Sequence, residues 1–439
     1  MRALALALFV LSTLPMALVR PIVGLTLWIL FSYMNPHRLA YGFAYSFPWV
    51  FICAAVTLFS MPLHPEERQK LPWKLITVLL LVFLIWTGIT TLYAVEGPLA
   101  QSHWIIFLKI QLMAFATLLL VKDQRRMHWI LWVIVLSFGF WGFKGGVFTL
   151  LTGGHYHVYG PPQSFFRDNN DYALVMCMAL PLMRYLQLKE TRKWVRWGLW
   201  GLMGFTALSV LGTYSRGGML ALAAVLFMLA IKSRRRLGLL VVMAAIMPLA
   251  LTFMPQQWLG RMHTIQTYGS DPNAIQKNES AEGRIQSWEF ATHVALAHPF
   301  VGGGFRVWAS DQMWDEYGPP GAVHRAIHSI FFEVLGEQGF VGLALYLGLI
   351  IAGWKALSNV RRRTRDGPET RWMADLASMF QVSIVGYLVG GAFLTRPYLD
   401  IFYQLLALTV VLQVMAARTV GETEADKETG SSERYPDAV

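Results

Sequence analysis

Long apolar stretches, separated by short polar segments, dominate this chain. A helix needs about 20 apolar residues to cross a bilayer, and most of the stretches approach that length. Because lipid offers the backbone no hydrogen-bond partners, each stretch is expected to be helical. The stretches are 3–19 with 21–34, 46–62, 73–94, 104–121, 127–150, 171–187, 195–213, 217–231, 237–254, 328–356, 373–394 and 398–417. The pattern predicts an all-α polytopic membrane protein of about 12 transmembrane helices.

The composition excludes a single water-soluble domain. Of the 439 residues, 55% are hydrophobic and 14% are charged, against roughly 25% charged in an ordinary soluble domain. So much apolar character also excludes general disorder. Lys and Arg (37) exceed Asp and Glu (26), giving a net charge of +11. In a membrane protein this excess belongs on the cytoplasmic side, so we expect no nucleic-acid partner.

The polar segments alternate between basic ones and ones poor in clustered base. The positive-inside rule places the basic segments in the cytoplasm and the others in the periplasm. The basic segments are 66–70, 122–126, 189–196, 232–236 and 361–371, and the others are 95–103, 151–170, 213–216 and 255–327. We expect the N-terminal apolar segment to be retained. Residues 1–34 could form two short spans or one interrupted segment, since Pro15 and Pro21 both break a helix. We prefer both termini inside, which needs an odd number of crossings before residue 35.

The predicted periplasmic segment 255–327 is far longer than an ordinary connection between helices. Within it, helical spacing of apolar residues predicts a helix from about Glu282 to Ala297, ended by Pro299, with a flexible glycine turn at 302–304. This divides the chain into four predicted parts. They are a first bundle of spans (1–254), a periplasmic loop with amphipathic helices (255–327), a second bundle (328–417) and a disordered cytoplasmic tail (418–439).

Arg216 lies at the outer membrane boundary, between two predicted spans. A guanidinium there is costly unless it is paired or reaches the interface. It could bind a phosphate with two parallel hydrogen bonds, with Tyr214 and Ser215 as further donors and the following glycines leaving room for the phosphate. The alternative is an interfacial arginine that contacts lipid headgroups.

Further polar groups on the same side also have two interpretations. Arg284 begins the loop helix, where it could bind an anion or simply pair with a nearby glutamate. Lys144 could neutralise a phosphate or extend to the interface. Asn170 could hydrogen-bond a sugar or, with Asp168, cap a helix. His324 and Arg325 add positive charge to a side that should be poor in base.

His328 begins a long apolar run on the outer side. An imidazole can accept a proton from a hydroxyl near neutral pH, although a capping or interfacial histidine is the commoner case. Glu333 and Glu337 follow it in the same predicted helix, where a carboxylate is expensive unless it is paired. Either glutamate could orient a base or bind substrate.

The missing motifs indicate how a substrate would be held. The sequence has no Asp-x-Asp pair, no His-Glu-x-x-His, no Gly-x-Ser-x-Gly and no P-loop, and its cysteines, Cys53 and Cys177, lie in apolar runs. Enzymes that use Mg²⁺ usually need clustered carboxylates. The outer polar groups are instead mainly Arg and His. We therefore expect an anionic substrate that is bound without metal, and no cofactor.

Four short segments resemble the O-antigen ligase and polymerase superfamily of bacterial inner membranes. They are Ser215-Arg216-Gly217-Gly218, Gly283-Arg284 with Trp288, His298-Pro299-Phe300 with Gly302-Gly303-Gly304, and His328-Ser329 with Glu333, Gly336 and Gly339. Their order, the number of spans and the single long late loop also match. The opening, at 33–38, resembles a branch of O-glycosylation ligases associated with exosortase systems. Ser329 departs from the family pattern, because many relatives carry Asn after the histidine.

The resemblance implies a GT-C-like inner-membrane glycosyltransferase whose active site faces the periplasm. Such enzymes move a glycan from undecaprenyl diphosphate to lipid A-core by a metal-independent, inverting mechanism. Carried over to this chain, Arg216 and Arg284 would hold the diphosphate and His328 would be the base. Alternatives with the same donor are an O-antigen polymerase and a protein O-glycosylation ligase. Non-enzymatic alternatives are a lipid-linked glycan transporter, which should carry charges mid-span and internal repeats, and a structural membrane subunit.

Overall fold

The computed structural model describes residues 1–232 and 279–432, and within these ranges all regular structure is helical. This confirms the predicted all-α class. The predicted span 237–254 lies outside the described residues. The helices are α1 (Arg2–Val19), α2 (Pro21–Tyr33), α3 (Phe43–Ser46), α4 (Trp49–Leu63), α5 (Leu75–Leu92), α6 (Gly97–Leu120), α7 (Gln124–Leu151), α8 (Asn169–Lys189), α9 (Lys193–Leu211), α10 (Arg216–Lys232), α11 (Glu279–Ala297), α12 (Asp311–Tyr317), α13 (Ile330–Thr364), α14 (Arg371–Gly391) and α15 (Asp400–Ser432).

Seven of the helices in the described ranges are long and apolar enough to cross a membrane: α1, α5, α6, α7, α13, α14 and the Asp400–Thr419 part of α15. The helices α2 and α4 are apolar but shorter. The chain is therefore a polytopic helical membrane protein, while the total of about 12 spans and the four-part division stay predictions. The helix α15 extends beyond residue 418, where the sequence predicts a disordered tail.

The N-terminal helices α1 and α2 form a hairpin around Arg20, and Pro21 occupies the first position of α2, where a missing N–H costs nothing. Arg2, at the start of α1, and Arg38, shortly after α2, line the same cavity. The hairpin therefore returns the chain to the side on which it began. The expected odd number of crossings before residue 35 is wrong, because Pro21 starts a second helix rather than interrupting one.

Helix α8 is the buried centre of the bundle, with nearly every side chain from Asp171 to Leu186 enclosed. It packs against α9, α10 and α14. Small residues allow such close helix contacts in lipid, where the hydrophobic effect does not drive association. At Gly218 of α10, for example, a methyl group would lie 2.4 Å from the Ala173 side chain. This central helix fixes the position of the polar residues at its N-terminus, which belong to the site below.

The loop helix is confirmed as α11, which ends at Ala297 just before Pro299. The glycine turn that follows is held rather than free. The N–H groups of Gly303 and Gly304 donate to the carbonyls of Gly336 and Glu337 at 2.9 Å each. At the same place Gly339 interrupts α13 with a φ of +68°, a conformation that glycine adopts without strain. The turn and the kink together fix the loop against the start of α13.

Candidate active site

Three basic side chains that are remote in sequence come together at one end of the bundle. Arg216 begins α10, Arg284 lies in the first turns of α11, and His328 comes just before Ser329, the N-cap of α13. The charge of Arg216 acts on Arg284, and that of Arg284 acts on His328. The structure thus brings together the three residues for which the sequence predicts phosphate binding and proton transfer.

Arg284 is held in surroundings that favour an anion. Its Cζ lies 6.0 Å from the centre of the Phe393 ring, and its Nε is buried with no hydrogen-bond partner in the described parts of the chain. Burial lowers the pKa of Arg284, and the neighbouring charge of Arg216 lowers it further. An arginine nevertheless stays protonated in proteins. A bound anion would satisfy the buried N–H and relieve the repulsion between the two guanidinium groups.

Burial keeps His328 neutral, and Thr395 contacts both its backbone and its ring. Burial is the main cause that lowers the pKa of His328 to about 4; Arg284 and Arg325 lower it further, and Asp168 opposes them. The hydroxyl of Thr395 accepts from the backbone N–H of His328 at 3.1 Å and lies 3.2 Å from its Nδ1. If Nδ1–H donates to Thr395, then Nε2 is left with a lone pair, which is the tautomer a proton acceptor needs.

The backbone at both ends of this cluster adopts an uncommon conformation. Tyr214, two residues before Arg216, has a φ of +58°, and His328 has a φ of +51°. Side chains other than glycine seldom occupy this left-handed region. Such backbone strain concentrates at functional sites, where the surrounding structure enforces it. Both positions are enforced by contacts to neighbouring segments.

Around Arg216, Tyr214 and Ser215 build the turn. The Tyr214 hydroxyl donates to the Gly154 carbonyl, and the Ser215 hydroxyl accepts from the Gly218 N–H at 3.0 Å. Ser215 is thus the N-cap of α10, a position that favours serine. Gly218 packs against Ala173 of α8, and the expected role of the glycines in leaving space for a phosphate stays a prediction.

Around His328, α11 holds the chain from the other side. The Ser287 hydroxyl and the Trp288 indole N–H both donate to the Ile327 carbonyl at 3.0 Å. Gly283 lies directly against Arg325. A Cβ atom at position 283 would lie 1.8 Å from the Arg325 guanidinium, so only glycine fits there. The Gly-Arg pair and the tryptophan of α11 therefore position Arg284, Arg325 and His328 relative to one another.

The remaining predicted polar residues have mixed positions. Asp168 is the N-cap of α8; its carboxylate accepts from the backbone N–H of Asn170 at 2.8 Å and from its side chain at 2.9 Å. Lys144 lies over the Trp141 ring at 4.7 Å and lines a cavity of about 470 Å³. His324 is on the exposed loop, where it pairs with Asp311 at 2.8 Å.

Glu333 and Glu337 belong to a second polar group, with Arg306 and Arg396. Glu337 accepts from the Arg306 backbone N–H at 2.7 Å and from the Tyr398 hydroxyl at 2.9 Å. Arg396 pairs with Asp171 of α8 at 2.5 Å. Burial opposes the charge on Arg396, but Asp171 and Glu333 outweigh burial, so the pKa of Arg396 is raised. Glu337 thus contacts Arg306 and Tyr398 in this second polar group, and the two roles expected for the glutamates stay predictions.

Thr395 and Arg396 were not among the residues predicted from sequence. They lie in the short gap between the predicted spans 373–394 and 398–417, which the predicted topology places on the outer side. The cost of an arginine at a membrane boundary, which makes Arg216 a candidate, applies equally to Arg396. No comparable sequence signal marks Thr395 or its contact with His328.

No group of three or more His, Cys, Asp or Glu side chains that could hold a metal occurs in residues 1–232 and 279–432. The residues that converge are two arginines and a histidine. The arginines can donate hydrogen bonds to an anion, and the neutral histidine can accept a proton. Fold and site together define a multi-pass helical membrane protein with an arginine- and histidine-containing polar site at one end of its bundle.

Comparison with known families agrees with this class. Residues 201–347 match the family model described as O-antigen ligase, and this segment contains Arg216, Arg284 and His328. Over it, the resemblance to the O-antigen ligase and polymerase superfamily is confirmed, and the match indicates a glycosyltransferase-type enzyme. Residues 1–191 match a family of unknown function (DUF5935). No curated protein matches the chain. The exosortase-associated branch stays a prediction.

Proposed function

We propose that this protein transfers a glycan from undecaprenyl diphosphate to a hydroxyl of lipid A-core in the bacterial inner membrane. The convergence of Arg216, Arg284 and His328 is the observation that carries the proposal. The family match to O-antigen ligases supports the class of reaction. The donor's lipid tail would lie among the spans, which accounts for a site at the membrane boundary.

The two arginines would bind the diphosphate. As the sugar–oxygen bond breaks, negative charge grows on the departing diphosphate and must be stabilised. Two guanidinium groups in a partly dehydrated site can do this by charge and by paired hydrogen bonds. The buried, unpartnered Nε of Arg284 supports this role. No metal or cofactor is needed in this scheme.

His328 would be the general base. The acceptor oxygen bonds to the anomeric carbon from the face opposite the diphosphate, which inverts the configuration. The acceptor's proton passes to His328 Nε2, and undecaprenyl diphosphate leaves with the bonding electron pair. The lowered pKa of His328 keeps the imidazole ready to accept a proton, and Thr395 can hold the ring in the required tautomer.

The site would face the periplasm. The predicted cytoplasmic segments 66–70 and 122–126 are in contact, since Lys122 Nζ donates to the Glu66 carbonyl at 2.7 Å. Helix α10 runs from Arg216 at the site to Lys232 at its opposite end. The positive-inside rule then assigns the basic end to the cytoplasm and Arg216 to the periplasmic boundary.

A purified assay with lipid-linked glycan and separate acceptors tests the proposal. We expect a glycan–lipid A-core product and release of undecaprenyl diphosphate, with His328→Ala as the inactive control. Elongated lipid-linked glycan would instead mean a polymerase, and glycosylated protein would mean a protein O-glycosylation ligase. Glycan movement across vesicles without any new product would contradict transfer altogether and leave the transporter alternative.

A further inference from the structure

A second cavity lies beside the proposed base. Its volume is about 290 Å³, just below the roughly 300–1,000 Å³ typical of small-molecule pockets. Its lining includes Phe305, Arg306, Glu333, Thr395, Arg396 and Tyr398. Thr395 connects it to the base, because the same hydroxyl lies 3.2 Å from His328 Nδ1.

Within this cavity, Glu333 has an unused acceptor. The residue is 4% exposed. The Trp308 side chain lies close enough to act on the Glu333 carboxyl group, but Glu333 Oε2 and Trp308 Nε1 make no hydrogen bond of ordinary geometry in the described residues. A buried acceptor without a donor is costly, and native structures seldom keep one without a reason. Glu337, one turn later, has both oxygens satisfied by protein groups. The contrast suggests that Glu333 awaits donors from a ligand.

The two arginines of the cavity also have unused donors. The Nε atoms of Arg306 and Arg396 are buried without partners in the described residues. Arg306 stacks over Trp308, with its Cζ 4.0 Å from the ring centre, which leaves the edge of the guanidinium available. The ligand must therefore both donate and accept hydrogen bonds.

The charge balance argues against a second diphosphate here. Arg306 and Arg396 share the lining with Glu333, Glu337 and Asp400, and Glu337 and Glu333 oppose the repulsion between the two arginines. For Arg284, the neighbouring charge that acts on it is that of Arg216. An anion would meet carboxylates in the cavity. A neutral polyhydroxyl ring would meet none of that repulsion, and aromatic side chains, such as Phe305 and Tyr398 at 4.7 Å between ring centres, give its apolar face a surface.

We propose that this cavity binds one sugar ring of the reacting glycans, with Glu333 accepting from the sugar hydroxyls and Arg306 and Arg396 donating to them. The proposal rests on the proposed function, since the cavity gains its meaning from its position beside His328. Donor and acceptor glycans share this polyhydroxyl chemistry, so the ring could come from either, and the experiment separates the two.

The test uses full-length protein in lipid nanodiscs with three probes. They are undecaprenyl diphosphate without sugar, undecaprenyl diphosphate carrying the glycan, and lipid A-core. Glu333→Gln removes the carboxylate charge without changing its shape, and Arg306→Gln removes a guanidinium whose backbone N–H still binds Glu337. Glu369→Gln, on an exposed loop between α13 and α14, is the matched control.

Both cavity variants should bind sugar-free undecaprenyl diphosphate as the parent protein does. If the donor sugar occupies the cavity, the affinity for undecaprenyl diphosphate carrying the glycan should fall about 10- to 100-fold. This is the loss expected for hydrogen bonds to charged groups. If the acceptor occupies it, KM for lipid A-core should rise by a similar factor while donor affinity stays unchanged. Glu369→Gln should change none of these values.

The inference is overturned if a folded cavity variant shows neither loss, or loses affinity for sugar-free undecaprenyl diphosphate by the same factor. Should Glu333→Gln fail to fold in size-exclusion chromatography, Arg306→Gln decides alone. Failure of the proposed function has a different result. In that case the parent protein would bind undecaprenyl diphosphate no more tightly than Arg284→Lys, whatever the cavity variants do.

Discussion

The site contains two pairs of arginines whose surroundings differ. Arg216 and Arg284 act on each other as like charges, and burial together with Arg216 lowers the pKa of Arg284. Arg396 is paired with Asp171, which helps to raise its pKa above the usual value. Arg306 lies near Glu337 and Glu333, which oppose the effects of burial and of Arg396 but do not keep its pKa from being lowered. Carboxyl groups therefore offset charge in the second pair, whereas the charge that acts on Arg284 is that of another arginine.

The partner of an arginine determines what else its guanidinium can bind favourably. A guanidinium paired with a carboxylate mainly fixes structure, and its remaining N–H groups gain little from an anion, so they favour neutral partners. A guanidinium facing another guanidinium gains most from an anion. His328 lies between the two pairs: Arg284 acts on its charge, and Thr395, adjacent to Arg396, contacts its ring.

The largest expected effect is at His328. His328→Ala should lower turnover about 10²- to 10⁴-fold, the usual contribution of a general base, while donor affinity stays nearly intact because the arginines hold the diphosphate. His324→Ala, on the exposed loop, should matter much less. Turnover and donor affinity of both variants are the measurement. A parallel loss of donor binding and turnover in His328→Ala would mean that the histidine binds phosphate or supports the fold.

The next effect separates the two arginine pairs directly. Lysine keeps the charge but loses the fork that binds phosphate with two hydrogen bonds. Arg216→Lys and Arg284→Lys should therefore each lose about 10²- to 10³-fold in turnover, as for loss of a donor to a developing anion. Normal turnover in both would eliminate the diphosphate site.

Arg396→Lys should behave differently from those two variants. It should keep its affinity for sugar-free undecaprenyl diphosphate and lose about 1 kcal/mol of stability, a small value because the side chain is 40% exposed and solvent screens the pair. Thermal unfolding and donor binding, measured together, provide the check. Equal loss of donor binding in Arg396→Lys and Arg284→Lys would remove the distinction between the pairs.

Thr395→Val should lower turnover about 10-fold, corresponding to one hydrogen bond of roughly 1 kcal/mol or slightly more. The nearly isosteric valine cannot accept from Nδ1–H, so the imidazole loses its preferred tautomer. Thr395→Ser restores the hydroxyl and should restore most of the rate. If valine and serine performed equally, Thr395 would only fill space.

A smaller effect is expected on the pH dependence. The pKa of His328 is lowered to about 4, and the base works only when neutral, so kcat/KM should fall as pH drops through about 4. A bound diphosphate adds negative charge and should raise this pKa, which places the acid limb of kcat at higher pH. Arg284→Lys should leave the order of the two limbs unchanged. A kcat limb below that of kcat/KM would contradict an anion beside His328.

The smallest expected effect is that of chelation. Because arginines rather than carboxylates converge on the proposed diphosphate site, activity in excess EDTA should stay close to that of untreated enzyme. A large loss that Mg²⁺ or Mn²⁺ restores would mean that a metal shares the role of Arg216 and Arg284.

Sequence reasoning succeeded where a local pattern has a single physical solution. Apolar stretches in lipid must be helical, so the all-α class followed, and Pro299 marked the end of α11. It failed at the N-terminus, where Pro21 could end one helix or begin another. The hairpin of the first two helices is visible only in the structure, where Arg2, at the start of α1, and Arg38, after α2, line one cavity.

For the site, the candidate residues Arg216, Arg284 and His328 could be identified from the sequence. They are polar groups at predicted membrane boundaries, where a charged side chain is costly unless it is paired or functional. The contacts of the polar side chains are visible only in the tertiary structure. Arg396 pairs with Asp171, the Ser215 hydroxyl caps α10, and Glu333 Oε2 has no hydrogen-bond partner in the described residues. The physical reason is that charge and hydrogen bonding depend on distances between segments far apart in the chain, which local sequence patterns do not encode.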